Sequence, residues 1–252
     1  MDVAGNVAYP LKTRAIDRPG IEAKVGAVLD IVGLAGFGQR SIEELSGGQR
    51  QRVALARCLV SDSKIILFDE PLANLDMHLR ASMVEVFRDI HRRTRATIVY
   101  VTHDQAEALA LADRVAVMDN GRVLQVAPPE QVYRSPADDI VARFVGRGTL
   151  VTGHAIPDDP GSIRIAGHSI QARTAGPLAG TVRVLLRPEA LSLAENGLPA
   201  RVASTIYRGP VHEVRLVLEG DGGELVMDCL VPPAIGALVH VAVADAWVIP
   251  RA

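Results

Sequence analysis

Leu45-Ser46-Gly47-Gly48-Gln49, followed by Ile65-Ile66-Leu67-Phe68-Asp69-Glu70-Pro71, decides how this chain is read. The first stretch is a glycine-rich turn in which Ser46 is placed to cap a helix running through Arg57. Val53, Leu55 and Ala56 give that helix a side to bury. Paired glycines let a backbone come close to an anion, and the helix that follows points unpaired N–H groups and its positive dipole end at it. The second stretch is an apolar strand ending in two carboxylates. The C-terminal end of a parallel strand is where α/β sheets place ligands. Taken singly, an S-G-G turn or an acidic pair after a strand is a common structural feature, so it is their succession that is informative.

Working outward, Ile21, Val25, Val28, Leu29 and Val32 recur at helical spacing from Pro19 to Val32, with Gly33 as a stop. Lys64 to Phe68 reads as a short buried strand. A helix from Met77 to Arg95 follows, with Leu79, Met83, Val86, Phe87 and Ile90 on one stripe. Thr97–Thr102 is a second strand, Gln105–Leu111 a short helix and Arg114–Met118 a third strand. This alternation predicts a parallel sheet of βαβ units. Asp119-Asn120-Gly121 turns the chain into an antiparallel addition at Val123–Val126.

The pattern changes at Gly146-Arg147-Gly148. Beyond it come short alternating segments at Thr181–Arg187, Ala200–Ile206, His212–Leu218, Glu224–Leu230 and Leu238–Ala244, separated by turn chemistry such as Glu219-Gly220-Asp221-Gly222-Gly223. These predict a small all-β barrel or sandwich. Its histidines, His154, His168, His212 and His240, are scattered at spacings that fit no metal site and are expected at the surface or at strand edges.

A composition 48% hydrophobic and 22% charged over 252 residues fits a globular protein and argues against disorder. Residues 1–147 carry 19 basic and 19 acidic side chains, and residues 148–252 carry 8 and 10. Neither part is basic, which argues against nucleic acid or an anionic membrane surface as partner. The absence of any apolar run near 18 residues, and of a charged and then apolar leader, predicts a chain that neither spans a membrane nor is exported. Cys58 and Cys229, without C-x-x-C spacing, are expected as buried small hydrophobes in a reducing compartment.

The string from Leu45 to Arg57, LSGGQRQRVALAR, resembles the signature motif of the ATP-binding cassette, the ATPase module of ABC transporters. Ile65 to Glu70 resembles its Walker B strand with the carboxylate that follows. Ala73-Asn74-Leu75-Asp76 resembles the D-loop, and Val101-Thr102-His103-Asp104-Gln105-Ala106-Glu107-Ala108 the run around the switch histidine. The resemblance implies an α/β P-loop NTPase-like cassette. ATP and Mg2+ are the implied ligands, with Leu45, Ser46, Gly47, Gly48, Gln49, Asp69 and Asp76 at the nucleotide and Glu70 and His103 as catalytic groups. Asp69 would hold Mg2+ through water. Glu70 would orient and polarise the attacking water, and His103 would contact the γ-phosphate. Asn74 or Asp76 can equally be a helix cap.

Leu186-Arg187-Pro188-Glu189 resembles the LRPE string of the OB-like C-terminal β module called TOBE, found in importer ATPases for oxyanions, ferric iron, polyamines and sugars. Tyr133-Arg134-Ser135-Pro136 and Phe144-Val145-Gly146 match the connector of that group. The expected organisation is therefore a partial cassette at 1–147 and a TOBE-like barrel at 148–252. The implied protein is the ATP-binding subunit of a bacterial ABC importer, cytoplasmic and peripheral at the inner face of the membrane. Its implied partners are transmembrane permease subunits, a solute-binding protein and a second ATPase subunit. Phe144-Val145-Gly146-Arg147-Gly148 resembles ferric-iron importers more than sugar importers. The TOBE-like half and the lack of basic patches disfavour an ABC-type ATPase of DNA repair or translation.

One part of the pattern is missing. Nowhere in the 252 residues is there a G-x-x-x-x-G-K-[ST] phosphate loop. Met1-Asp2-Val3-Ala4-Gly5-Asn6-Val7 resembles the segment just after the family's Q-loop, which implies a chain beginning within the cassette, with the phosphate loop upstream. Such a chain is expected to be inactive alone, with an exposed edge on its parallel sheet. The alternative reading is a non-catalytic partner or regulatory module that lends LSGGQ to a complete cassette.

Overall fold

The structure is a computed structural model that describes residues 1–12, 17–73, 75–157, 159–220 and 223–250. It divides into two compact units, Met1–Ala112 and Asp113–Ala252.

In the first unit, helices α1 (Val3–Ala8), α2 (Arg18–Ile31), α3 (Gly47–Leu59) and α4 (Met77–Thr94) pack with β1 (Ile65–Asp69) and β2 (Thr97–Val101); α5 (Gln105–Leu111) follows β2. Helix α1 is an element the sequence pattern did not announce. Strands β1 and β2 run parallel, Ile65 opposite Thr97 and Asp69 opposite Val101. Alternation along β1 sends Ile66 and Phe68 into the core, where Phe68, Phe87 and Tyr100 meet edge to face, with ring centroids of 5.0 Å for Phe68–Phe87 and 5.3 Å for Phe87–Tyr100. The opposite face is open: Ile65 is 69% exposed and Leu67 65%, and Val99 and Val101 beside them are also exposed.

The second unit begins with the hairpin β3 (Val115–Asp119) and β4 (Arg122–Ala127) and continues through α6 (Pro129–Arg134) and α7 (Asp139–Phe144). The third strand expected in the parallel sheet is thus elsewhere: among the described residues β3 pairs only with β4. Asn120 and Gly121, both at positive φ (47° and 75°), form a two-residue hairpin turn that favours the adjacent antiparallel partner. Gln125 then clamps the hairpin to the connector, donating to the Ser135 carbonyl and accepting from Ala137 N–H.

Ten further strands follow among the described residues: β5 (Thr149–Ala155), β6 (Ser162–Ile165), β7 (His168–Gln171), β8 (Thr181–Leu186), β9 (Leu191–Ala194), β10 (Leu198–Tyr207), β11 (His212–Leu218), β12 (Glu224–Cys229), β13 (Leu238–Val243) and β14 (Ala246–Val248). They form two five-stranded sheets, ordered β12-β11-β10-β13-β9 and β14-β8-β5-β6-β7, around one barrel-like core containing Val184, Leu186, Leu198, Leu216, Leu225 and Val241. Residues Asp221 and Gly222 of the expected turn after β11 lie outside the described residues.

The LRPE string has a packing role here. Arg187, buried at the end of β8, donates to the carbonyls of Tyr133 and Arg147 (2.8 Å each) and lies 4.2 Å over the Tyr133 ring, while Glu189 accepts from the Tyr133 hydroxyl at 2.7 Å. Burial pulls the Arg187 guanidinium below its usual range; burial and then the Glu189 hydrogen bond push the Tyr133 phenol up to about 12. Gly146 sits beneath this pair at φ 75°, and a Cβ there would lie 2.3 Å from the Tyr133 ring. Trp247 adds a bond from its indole N–H to the Pro136 carbonyl (2.9 Å). These ties make residues 113–148 part of the β unit, so the compact division falls at Ala112/Asp113, ahead of the change in sequence pattern at Gly146–Gly148.

The cysteines depart from expectation. Cys58 is exposed on α3, and Cys229, at the end of β12, is only half-buried, packing at the margin of the β-unit core.

Candidate functional site

Helix α3 starts at Gly47 because Ser46 and Gln49 form a capping box. The Ser46 hydroxyl oxygen accepts from Gln49 N–H at 3.3 Å, and the Gln49 side-chain oxygen accepts from Ser46 N–H at 2.9 Å. Leu45 anchors the turn by burial, and its carbonyl accepts from Arg50 at 2.6 Å. The two glycines are there for different reasons. A Cβ on Gly48 would meet Leu79 of α4 at 2.5 Å, whereas a Cβ on Gly47 would enter open space. Gly48 therefore lets α3 and α4 approach. Gly47 leaves the exposed N-terminus of this 13-residue helix without a side chain, its backbone open to solvent.

The signature helix is tied to the second motif through Gln51, whose amide donates to the carbonyl of Pro71, the residue after Glu70. Asp69 ends β1, exposed, opposite Val101. Glu70 leaves the strand in the left-handed region at φ 44°, with its N–H bonded to the Val101 carbonyl at 2.8 Å. Positive φ at a non-glycine residue is strain of a kind that gathers at functional sites. It turns the Glu70 carboxylate toward the end of β2, where Oε1 lies 3.0 Å from His103 Nδ1. His103 is 68% exposed and Glu70 48%, so the pair faces solvent and is reachable by a water molecule.

The structure thus brings Glu70 and His103 together and places Asp69 next to Glu70 in the chain. Asp76 takes the capping alternative: its carboxylate accepts from Leu79 N–H at 2.9 Å and starts α4. Asn74, the other expected cap, lies outside the described residues. Among the described residues no three His, Cys, Asp or Glu side chains converge as a metal cluster. An exposed carboxylate pair of this kind fits Mg2+, which keeps most of its waters and uses one or two protein carboxylates beside phosphate oxygens.

Around the pair lies a network without an assigned role in the motif reading. Glu107, 4% exposed, accepts from the hydroxyls of Tyr100 and Thr102 at 2.9 Å each. Burial and this bond raise the Tyr100 phenol far above its usual range. Arg80 of α4 lies between Glu107 and Asp104, the residue that caps α5. The sequence signal was faint: Glu107 is the one carboxylate in the Ala106–Leu111 run, on a helix too short for periodicity to mark it as buried.

Residues 4–73 match the family model described as ABC transporter, a span that includes LSGGQ, Asp69 and Glu70, and residues 184–249 match the TOBE domain. The chain is 39% identical over 236 residues to the Fe(3+) ions import ATP-binding protein FbpC 1 of Haemophilus influenzae, covering 91% of this chain and 70% of that protein. This chain belongs to the ABC transporter family. Within it, the chain carries a C-terminal TOBE domain and resembles proteins named as import ATP-binding proteins. It is also 40% identical over 215 residues to the Fe(3+) ions import ATP-binding protein FbpC of Photobacterium profundum (83% of this chain, 60% of that protein). A third relative, 39% identical over 242 residues, is the Sulfate/thiosulfate import ATP-binding protein CysA of Xanthomonas campestris (94% and 69%). The chain spans 60%, 62% and 65% of the length of three FbpC relatives.

Proposed function

We propose that the chain is the ATP-binding subunit of a bacterial ABC importer, coupling ATP binding and hydrolysis to solute uptake. The observation that carries this is the Glu70–His103 contact of 3.0 Å at the end of the parallel β1–β2 pair, next to a turn held by the LSGGQ helix. In this reading Glu70 orients and polarises the attacking water, and His103 holds Glu70 in place and contacts the transferring phosphoryl group. Leu45, Ser46, Gly47, Gly48 and Gln49 present the open helix N-terminus to a nucleotide shared with a second ATPase subunit, and Asp76 lies at that interface. Asp69 holds Mg2+ through water; when bound, the ion supplies charge neutralisation at the phosphate oxygens. Glu70→Gln in an assembled cassette carrying a phosphate loop tests the assignment: ATP binding persists and turnover falls. Turnover near the wild-type rate overturns it.

Permease subunits, a solute-binding protein and a dimer mate complete the proposal, with the chain peripheral at the cytoplasmic face of the membrane. No helix among the described residues is long and apolar enough to cross a membrane. Ferric iron is the favoured solute, supported by the FbpC relatives and by Phe144–Gly148; polyamine, sugar or oxyanion transport shares most of the same features. Loss of radiolabelled ferric-iron uptake in cells lacking the protein, with sulfate uptake intact, is the expected result, and the converse reassigns the solute. The cassette is proposed to extend to residue 147 and the TOBE-like domain to run from 148, the helices before Gly148 belonging to the cassette by motif although they pack with the β unit.

A second reading concerns these 252 residues by themselves, which hold no G-x-x-x-x-G-K-[ST] string. They then supply the LSGGQ side of a site whose phosphate loop comes from a complete cassette. Calorimetry on the chain alone is expected to show no saturable ATP binding tighter than about millimolar. A micromolar dissociation constant overturns that reading.

A further inference from the structure

The motif reading leaves the network beside the Glu70–His103 pair unused. Its centre is Glu107, almost fully buried, with Oε2 accepting from Tyr100 and Thr102 at 2.9 Å each. A buried carboxylate is tolerated when hydrogen-bonded and faced by a cation, and here the cation is Arg80, whose Nε stands 3.7 Å from Oε1. The same guanidinium reaches in two other directions. Nη1 donates to Asp104 Oδ2 at 2.8 Å, and Nη2 donates to the Leu75 carbonyl at 3.4 Å. Asp104 in turn caps α5 through Ala106 and Glu107 N–H, and its own N–H donates to Thr102 Oγ1 at 3.0 Å. One side chain thus holds the turn before α4, at Leu75–Asp76, and the turn after β2, at His103–Asp104. These turns lie far apart in sequence, and the second adjoins Glu70 through His103.

We propose that Arg80, charge-paired with the buried Glu107 carboxylate, is a positioning residue that couples the Leu75–Asp76 turn to the His103 turn and so fixes how His103 meets Glu70. A planar guanidinium suits this because Nη1 and Nη2 donate to Asp104 and to the Leu75 carbonyl in one plane while Nε, without a hydrogen bond of its own, faces Glu107 as an ion pair, a span that a lysine ammonium on a flexible stem does not give. The coupling gives the D-loop a physical route to the histidine: a displacement of Leu75 strains the Arg80 bonds and is passed to Asp104. Its importance for turnover rests on the ATPase reading above, whereas the coupling itself does not.

The test is nuclear magnetic resonance on the isotopically labelled 252-residue chain without nucleotide. In Arg80→Ala we expect the single sharp amide signals of Leu75, Asp76, His103 and Asp104 to be lost or split together, and the His103 imidazole nitrogen to leave its hydrogen-bonded shift. Glu107→Gln keeps an acceptor for Tyr100 and Thr102 but turns an amide toward Arg80, and should disturb the same two turns to a smaller extent. Arg92→Ala, on the same helix but paired with exposed Asp89, should leave both unchanged. A folded Arg80→Ala chain in which only one turn responds, or neither, overturns the proposal. If Arg80→Ala unfolds the unit, Arg80→Lys, which keeps the charge without the span, takes its place: both turns respond, or the coupling is wrong. Failure here leaves the Glu70→Gln turnover test untouched, and failure of that test leaves the coupling standing.

Discussion

In the unit Met1–Ala112 the β1–β2 pair is covered by helices on one face, while Ile65, Leu67, Val99 and Val101 stay in water on the other. In the unit Asp113–Ala252 the two five-stranded sheets turn their apolar faces onto one shared core. The strands are equally apolar in the two units, but only the second closes on itself. Burial is thus a property of the partners a strand finds. A parallel pair needs helices on both faces, whereas antiparallel sheets stacked on each other need nothing further. Among the described residues, the unit that closes carries no catalytic constellation. The unit that stays open carries Asp69, Glu70, His103 and the exposed helix start at Gly47.

The largest expected effect is chemical and confined to the open unit: Glu70→Gln in an assembled cassette should lower turnover by about 10²–10⁴-fold, the usual range for a positioned base. A matching loss from any substitution in the β unit would break the division of labour. Next comes packing, where the units should respond oppositely. Leu216→Ala, in the closed core, should cost about 2–5 kcal/mol in chemical denaturation, while Leu67→Lys on the open face should change stability by about 0.5 kcal/mol or less and raise solubility. A large cost at Leu67 would mean that this face is covered in solution.

Gly146→Ala sharpens the role given to the connector. The positive φ and the Tyr133 ring both oppose a Cβ, so a destabilisation of about 1–3 kcal/mol is expected. Gly47→Ala, which meets nothing, should cost well under that in a melt while weakening nucleotide contact. The smallest effect is electrostatic. The hydrogen bond from Arg173 holds the Asp245 carboxyl below its ordinary value of 3.8, partly offset by burial. A depressed folded-state pKa stabilises above the unfolded value and is lost as pH falls through the folded one. The β unit should therefore soften as pH drops below about 4, and Asp245→Asn should flatten that limb of the acid titration.

Much of the site was legible because its chemistry is local. Ser46 and Gln49 lie three residues apart and cap each other, and the apolar run Ile65–Phe68 must be a strand whose end exposes Asp69 and Glu70. Helices α2, α3 and α4 followed from the spacing of their apolar residues for the same reason. What failed to show were decisions made between distant residues. The sequence implied β3 as a third parallel strand, but the Asn120-Gly121 turn and the Gln125 clamp gave it to a local hairpin. Strands β6, β7, β9 and β14 are only three or four residues long and take their pairing from neighbours.

By itself, then, the sequence determined the helix starts, the strand that delivers the carboxylates, the class of the second unit and the motifs that carry the family. Those depend on contacts within a few residues, where side-chain type fixes the backbone's hydrogen-bond partners. Only the tertiary structure decided that Glu70 bends back through a left-handed conformation to meet His103, and that Arg187 makes LRPE a staple for Tyr133. The tertiary structure also set Arg80 between Glu107, Asp104 and Leu75. Each joins groups from separate elements, and their meeting depends on the angle at which whole elements pack, which no local pattern encodes.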